Sequence, residues 1–182
     1  MQNRQVAPVY TGGLPETHCG YGSTLRATVS ARNWLADIID RYHVKTFLDA
    51  PCGDLNWLRH MTWDGVQYIG IDQYEPNLWA AKELGFDVRV ADIITNRLPD
   101  ADMLLCRDFL QHLTMLEILR FFSNIKRSKI IWLVATSHGN AENTELPDSG
   151  FRPFNLLIPP LSLPRPSETV EDCGRTLGLW HL

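Results

Sequence analysis

Three aspartates close three successive apolar runs: Asp49 after T-F-L, Asp72 after Y-I-G-I, and Asp92 just beyond V-R-V. A carboxylate at such a place can hold a cation, accept from a hydroxyl, or accept from an amine. Taken singly, each reads as an ordinary turn or cap aspartate, because that residue is common there. Taken together, at the ends of neighbouring strands, they read better as one ligand site. Asp72 follows Asp49 by 23 residues, close to the spacing at which an acid grips ribose hydroxyls in nucleotide-binding folds.

The turn after Asp49 narrows the ligand. A dinucleotide turn needs G-x-G-x-x-G, so that the backbone can approach a pyrophosphate. Here the turn runs Asp49, Ala50, Pro51, Cys52, Gly53, Asp54, Leu55. It has one glycine, two flanking carboxylates and no P-loop lysine. Two negative charges beside a pyrophosphate repel it, which disfavours a nicotinamide-dependent oxidoreductase. A cationic ligand is welcomed instead. S-adenosylmethionine has a sulfonium, an ammonium and a ribose diol but no phosphate, and its charge fits.

Further along, C-R-D-F-L-Q-H sets Arg107, Asp108 and His112 at the end of another apolar run. Asp108 and His112 share a face if a helix has begun there, as a base with its orienting partner. The same pair also reads as an N-cap and a helix-start residue securing the junction. Trp57, Arg152 and Asn155 are acceptor-side candidates. Trp57 offers an aromatic wall for a cation, or a core aromatic. Arg152 offers a charge for an anionic acceptor or for Asp148, and Asn155 an amide that also suits tying a loop. Ser23 reads equally as a lid residue over the cofactor and as a helix cap. The remaining histidines, His18, His43, His60, His138 and His181, show no ligand spacing.

The elements that must position these groups follow from periodicity. Residues 1–22 are polar and glycine-rich, a loop or lid. Leu25, Val29, Leu35, Ile38, Ile39 and Tyr42 form one helical stripe, with Ser23 or Thr24 as its cap. Strands are expected at Thr46–Ala50, Val66–Asp72, Phe86–Val90, Asp102–Cys106 and Lys129–Thr136. Asp54 is expected to cap a short helix through Leu58 and Met61. Another helix opens at Glu75-Pro76 and ends at Gly85. A further helix carries Leu116, Ile118, Leu119 and Phe122 inward. Residues 137–168 form a proline-rich, acceptor-side loop, and residues 169–182 a terminal hairpin around Gly174. Strand–helix alternation predicts an α/β, Rossmann-like, doubly wound and mostly parallel sheet with helices on both faces.

Composition sets the outer bounds. The 182 residues suit one domain. A net charge of −4 argues against general nucleic-acid affinity, which needs a basic surface. The N-terminus has no apolar leader, and no apolar run has the roughly 20 residues of a bilayer span. A cytoplasmic location is the expectation, without membrane association. Four scattered cysteines with no C-x-x-C pair suggest neither a metal site nor a disulfide framework. Oligomeric state is not encoded in any of these features.

From about Gly20 onward the chain resembles class I SAM-dependent methyltransferases. The general first motif has glycines where this chain has Pro51 and Leu55. D-A-P-C-G-D-L-N-W, at Asp49–Trp57, is similar to the variant of a smaller subgroup. That subgroup also has an upstream G-x-G-S, here Gly20–Ser23, and a downstream R-P-x-N-L, here Arg152–Leu156. The resemblance implies that Asp49–Gly53 meets the methionine part of S-adenosylmethionine, and Asp72 with Gln73 the ribose. It places Asp92 and Ile93 at the adenine, Ser23 over the cofactor, and Arg107 at the cofactor edge. Its further implication is methyl transfer to an oxygen or nitrogen of a small-molecule or saccharide-type acceptor. A silent binding module acting through a protein partner is the alternative.

Overall fold

The computed structural model describes residues 14–148 and 150–182. Residues 1–13 of the expected lid, and Ser149 in the proline-rich loop, lie outside the described residues. Seven strands form one sheet: β1 (Thr46–Asp49), β2 (Gln67–Asp72), β3 (Val88–Val90), β4 (Ala101–Cys106), β5 (Ile130–Ser137), β6 (Glu168–Asp172) and β7 (Arg175–His181). Their order is β3-β2-β1-β4-β5-β7-β6. The first five run parallel, and β7 is antiparallel to both β5 and β6. The chain moves outward from β1 to β3, then returns to start again at β4. The switch in strand order therefore lies between β1 and β4, where ligands of such sheets bind.

Alternation along the strands fills both faces. Leu48, Ile69, Ile71, Leu104, Leu133 and Ala135 point to one side, against Ile118, Phe121, Phe122 and Ile125 of α3 (Met115–Ile125). Phe47, Tyr68, Met103, Leu105 and Val134 point to the other, against Leu35, Ile38 and Ile39 of α1 (Val29–Arg41) and Ala81 of α2 (Trp79–Glu83). Each fully buried Leu or Phe among these contributes about 1.5–3 kcal/mol. Helices on both faces and the terminal hairpin agree with the sequence reading. The hairpin turns on Cys173 and Gly174, both at positive φ, the signature of a two-residue primed turn.

Three elements depart from the expectations. The first helix begins at Val29, not at Ser23 or Thr24. Thr24 instead accepts a hydrogen bond from the Ala27 N–H and holds a turn. No α-helix follows β1. Gly53 (φ 57) and Leu55 (φ 53) are left-handed, which stops a right-handed helix from propagating, and only a 3-10 turn at Leu58–His60 remains. On α3, Leu116 and Leu119 face solvent, at 56% and 43% exposure, while Phe121 is buried with Ile118 and Phe122. The Thr114–Glu117 capping box starts that helix and sets its rotation. Among the described residues no helix is long and apolar enough to cross a membrane.

Candidate functional site

Strand register brings the three acids to one edge. Asp49 pairs laterally with Gly70 of β2 and Leu105 of β4, and Asp72 with Val90 of β3, two residues before Asp92. Asp49 is buried, and its carboxyl accepts from the Tyr68 hydroxyl at 2.7 Å. Burial raises its pKa from an ordinary 3.8 to about 8, against the pull of that hydrogen bond. Ala50 and Cys52 are buried beside it, and Pro51 is half-buried. Asp72 accepts from the Gly53 N–H (2.9 Å) and the Tyr74 N–H (2.8 Å). Burial raises its pKa too, while these backbone donors oppose the rise. Gln73 is exposed next to it. Asp92 accepts from the Ile94 N–H and the Thr95 hydroxyl, which shapes the turn after β3, and Ile93 is buried in the core.

A strap from the N-terminal side crosses this edge. Asp54, expected to cap a helix, accepts from the Thr17 hydroxyl (2.7 Å) and the His18 N–H (2.8 Å) instead. Asn56 donates to the Ser23 carbonyl, and Arg107 donates to the Gly22 carbonyl at 2.8 Å. The strap thus touches the turns after β1 and after β4. Gly22 lies close against Arg175 and Asp108: a Cβ there would lie 2.8 Å from Arg175 Nη2 and 3.0 Å from Asp108 Oδ2, so a side chain would have to shift the Arg175 guanidinium. Ser23 is not a cap of α1, and its hydroxyl has no partner among the described residues. Cys19 packs against Gly53. Its thiol is pushed up to about 12 by burial and by Asp54, so it is no nucleophile at neutral pH.

Beyond the strap lies a buried ionic cluster. Arg107 forms two hydrogen bonds with Asp172 of β6, at 2.8 and 3.0 Å, and its guanidinium lies 5.3 Å from the Trp57 ring. Trp57, expected to shield a donor, is 5% exposed and stacks on Arg107. Asp108 receives Arg175, Arg107 Nη1 at 3.2 Å and Gln111 at 3.3 Å. The expected Asp108–His112 pair is not formed. Asp108 has φ 55, so no helix runs through it and the two side chains do not share a face. His112 directs Nδ1 to the Gly150 carbonyl at 2.8 Å, which leaves Nε2 as its acceptor nitrogen.

The acceptor-side candidates are tied into the loop after β5. Arg152 is 3% exposed and donates to the Thr144 and Leu110 carbonyls, rather than to Asp148. Asn155 donates to the Gly139 carbonyl and accepts from the Leu157 N–H. Four contributors were not singled out from sequence: Tyr68, Asn56, Asp172 and Arg175. Asn56 stood inside the D-L-N-W stretch, which was the available signal. Tyr68 was concealed in an apolar strand, and Asp172 and Arg175 in a hairpin remote in sequence. Among the described residues no cluster of three or more metal-ligating side chains occurs.

No protein-family model matches the chain, and no curated protein matches it by sequence. Solved structures match its architecture. The mitomycin 7-O-methyltransferase MmcR aligns with a TM-score of 0.60 at 16% identity, over 85% of this chain and 54% of its own. CalO1, a methyltransferase in calicheamicin biosynthesis solved with SAH bound, gives 0.56 at 16%, over 85% and 53%. The methyltransferase domain of bacterial CtHen1 gives 0.54 at 14%, over 63% and 67%. The chain spans only about half the length of the first two. At such identities the likeness defines the fold, which is the Rossmann-like fold of SAM-dependent methyltransferases.

Proposed function

We propose that the chain is an S-adenosylmethionine-dependent methyltransferase, in which one domain builds both the cofactor and the acceptor sides. The acceptor is a small molecule or saccharide, methylated on oxygen or nitrogen. One observation carries this reading above the others. Asp49 is a buried carboxyl at the switch point with a single hydrogen bond from a neutral phenol. Such a group is the complement of a cationic ligand. When bound, S-adenosylmethionine supplies an electrophilic methyl group. Asp49 and the Ala50–Gly53 turn would hold the methionine end, Asp72 and Gln73 the ribose hydroxyls, and Asp92 with Ile93 the adenine.

A pH dependence follows. The empty site keeps a proton on Asp49 up to about pH 8. A cation beside it favours the carboxylate, so the proton leaves on binding. Affinity for S-adenosylmethionine is therefore expected to rise between pH 6 and pH 8, by up to roughly tenfold per unit for one proton. In Asp49→Asn the dependence flattens and binding weakens. Calorimetry in buffers of different ionisation enthalpy reads the released proton directly.

The same shift bears on stability with the opposite sense. A raised native pKa means that the folded chain binds the proton more tightly than the unfolded chain. Stability from Asp49 is then full below pH 4 and is lost as pH rises towards 8.

His112 is the residue we assign to proton transfer, through Nε2, from the acceptor hydroxyl or ammonium. Asp108, with its oxygens held by Arg175 and Arg107, acts in positioning. Arg107 likewise supports the cofactor edge by fixing the strap. His112→Asn keeps a donor for the Gly150 carbonyl and removes the base. It is expected to lower the rate of S-adenosylhomocysteine release in the presence of acceptor by about 10²–10⁴-fold. Cofactor binding should be unchanged. The competing reading, a silent module acting through a partner, draws on the occupied oxygens of Asp108. Methyl transfer that depends on His112 removes it.

A further inference from the structure

Asn124 is an amide buried on the apolar side of α3, 1% exposed, on the same last turn as Phe121, Phe122 and Ile125. Its hydrogen bonds leave the helix. Nδ2 donates to the Ile93 carbonyl at 2.8 Å and to the Asn96 carbonyl at 2.5 Å. Oδ1 accepts from Arg127 Nη2 at 2.9 Å. Both N–H donors and the oxygen are therefore in use. A leucine of similar shape would leave the two carbonyls without donors, and an aspartate would turn a negative charge on them.

The turn held in this way is the one that carries Asp92. Its inner bonds run from the Asn96 and Thr95 N–H groups to the Asp92 carbonyl, at 2.8 and 3.2 Å, and from the Asp92 N–H to Asn96 Oδ1 at 3.0 Å. It leaves β3 directly after Ala91, whose N–H donates to the Asp72 carbonyl at 3.1 Å. The turn thus starts beside the acid assigned to the ribose. Each Asp92 oxygen takes one bond, from the Ile94 N–H at 2.9 Å or the Thr95 hydroxyl at 2.8 Å. A carboxylate oxygen accepts two, so each keeps one place open among the described residues. Asp92 is half-buried, within reach of a ligand at the edge. What Asn124 fixes is the angle at which that place is offered.

We propose that Asn124 is a positioning residue for base recognition. By clamping the Asp92 turn to α3, it makes the site select a 6-amino purine over a 6-oxo purine. A hydrogen bond from an exocyclic amine to a carboxylate weakens steeply with misalignment, so the gain from the amine depends on a held turn. A 6-oxo group brings a partial negative charge to the same carboxylate and is rejected. The assignment rests on the methyltransferase reading and adds to it the source of its base selectivity.

The test titrates the full chain calorimetrically with S-adenosylhomocysteine and with S-inosylhomocysteine, its 6-oxo counterpart. The wild type is expected to prefer the 6-amino nucleoside by at least roughly tenfold. Asn124→Leu should narrow the preference to within about threefold, chiefly by weakening S-adenosylhomocysteine. Arg127→Met, at an exposed position, releases Asn124 Oδ1 and should lower the preference by roughly two- to threefold without changing the melt. A purely structural role weakens both nucleosides alike, so an unchanged ratio in Asn124→Leu overturns the proposal. If Asn124→Leu does not fold, an unchanged ratio in Arg127→Met overturns it instead. A wild type that binds both nucleosides equally also overturns it and leaves the cofactor reading intact. Failure of S-adenosylhomocysteine itself to bind would overturn both.

Discussion

Asp72→Ala is expected to weaken S-adenosylhomocysteine binding by at least roughly 100-fold. A ribose diol would give two hydrogen bonds to a charged acceptor, each contributing about 1.5–3 kcal/mol. Burial strengthens that effect, because Asp72 is 7% exposed and water competes poorly there. The same carboxylate accepts from the Gly53 N–H and the Tyr74 N–H. Its removal therefore also frees the turn against which the methionine part would lie. A thermal melt separates the two contributions. A variant that melts near the wild type but does not bind has lost ligand contacts, whereas a collapsed melt reports the turn. An Asp72→Ala protein that binds S-adenosylhomocysteine like the wild type would remove the acid edge from the account.

The second large effect concerns stability. Asp172→Ala is expected to lower it by about 3–5 kcal/mol, because it leaves the Arg107 guanidinium buried with its main partner gone. For a chain of this length that corresponds to a fall in Tm of roughly 6–20 °C. Arg107 also holds the Gly22 carbonyl and covers Trp57, so the loss reaches the strap. Replacing both partners, in Arg107→Met with Asp172→Ala, should recover a substantial part of the loss, since an apolar pair carries no desolvation cost. If the double variant melts below Asp172→Ala alone, the pair is stabilising in its own right and the desolvation argument fails. Both melts are read by near-ultraviolet circular dichroism, with Trp57 in the affected region.

The parts of the fold that were legible from sequence are those that local pattern controls. Continuous apolar runs gave β1, β2 and β4, the first two ended by acids, because a buried parallel strand needs apolar side chains on both faces. The Glu75-Pro76 start and the Gly85 end of the second crossover followed from their conformational limits. Local pattern failed where the backbone turns left-handed at non-glycine residues. Leu55 and Asp108 both do so, and neither residue type announces it. One lost the expected helix after β1, and the other separated Asp108 from His112. On α3 the stripe Leu116–Leu119 competed with Phe121–Ile125, and hydropathy does not rank two adjacent apolar faces.

The site was legible to the same extent. The acids belong to strand ends, so their edge could be inferred from topology. Their partners could not, because Tyr68, Asp172 and Arg175 meet the site through tertiary contacts between residues up to 67 apart. Trp57 and Asn155 show the converse. Each was considered as a substrate contact, and each is taken up by packing or loop bonds.

The central claim is that this edge binds a cationic adenosine cofactor. Calorimetric titration of the intact protein tests it most directly, with S-adenosylmethionine, S-adenosylhomocysteine and NADH run in parallel. The account predicts one saturable site for both sulfur nucleosides, lost in Asp72→Ala, and no binding of NADH. Binding of NADH without either sulfur nucleoside, or no binding of any of the three, would contradict it.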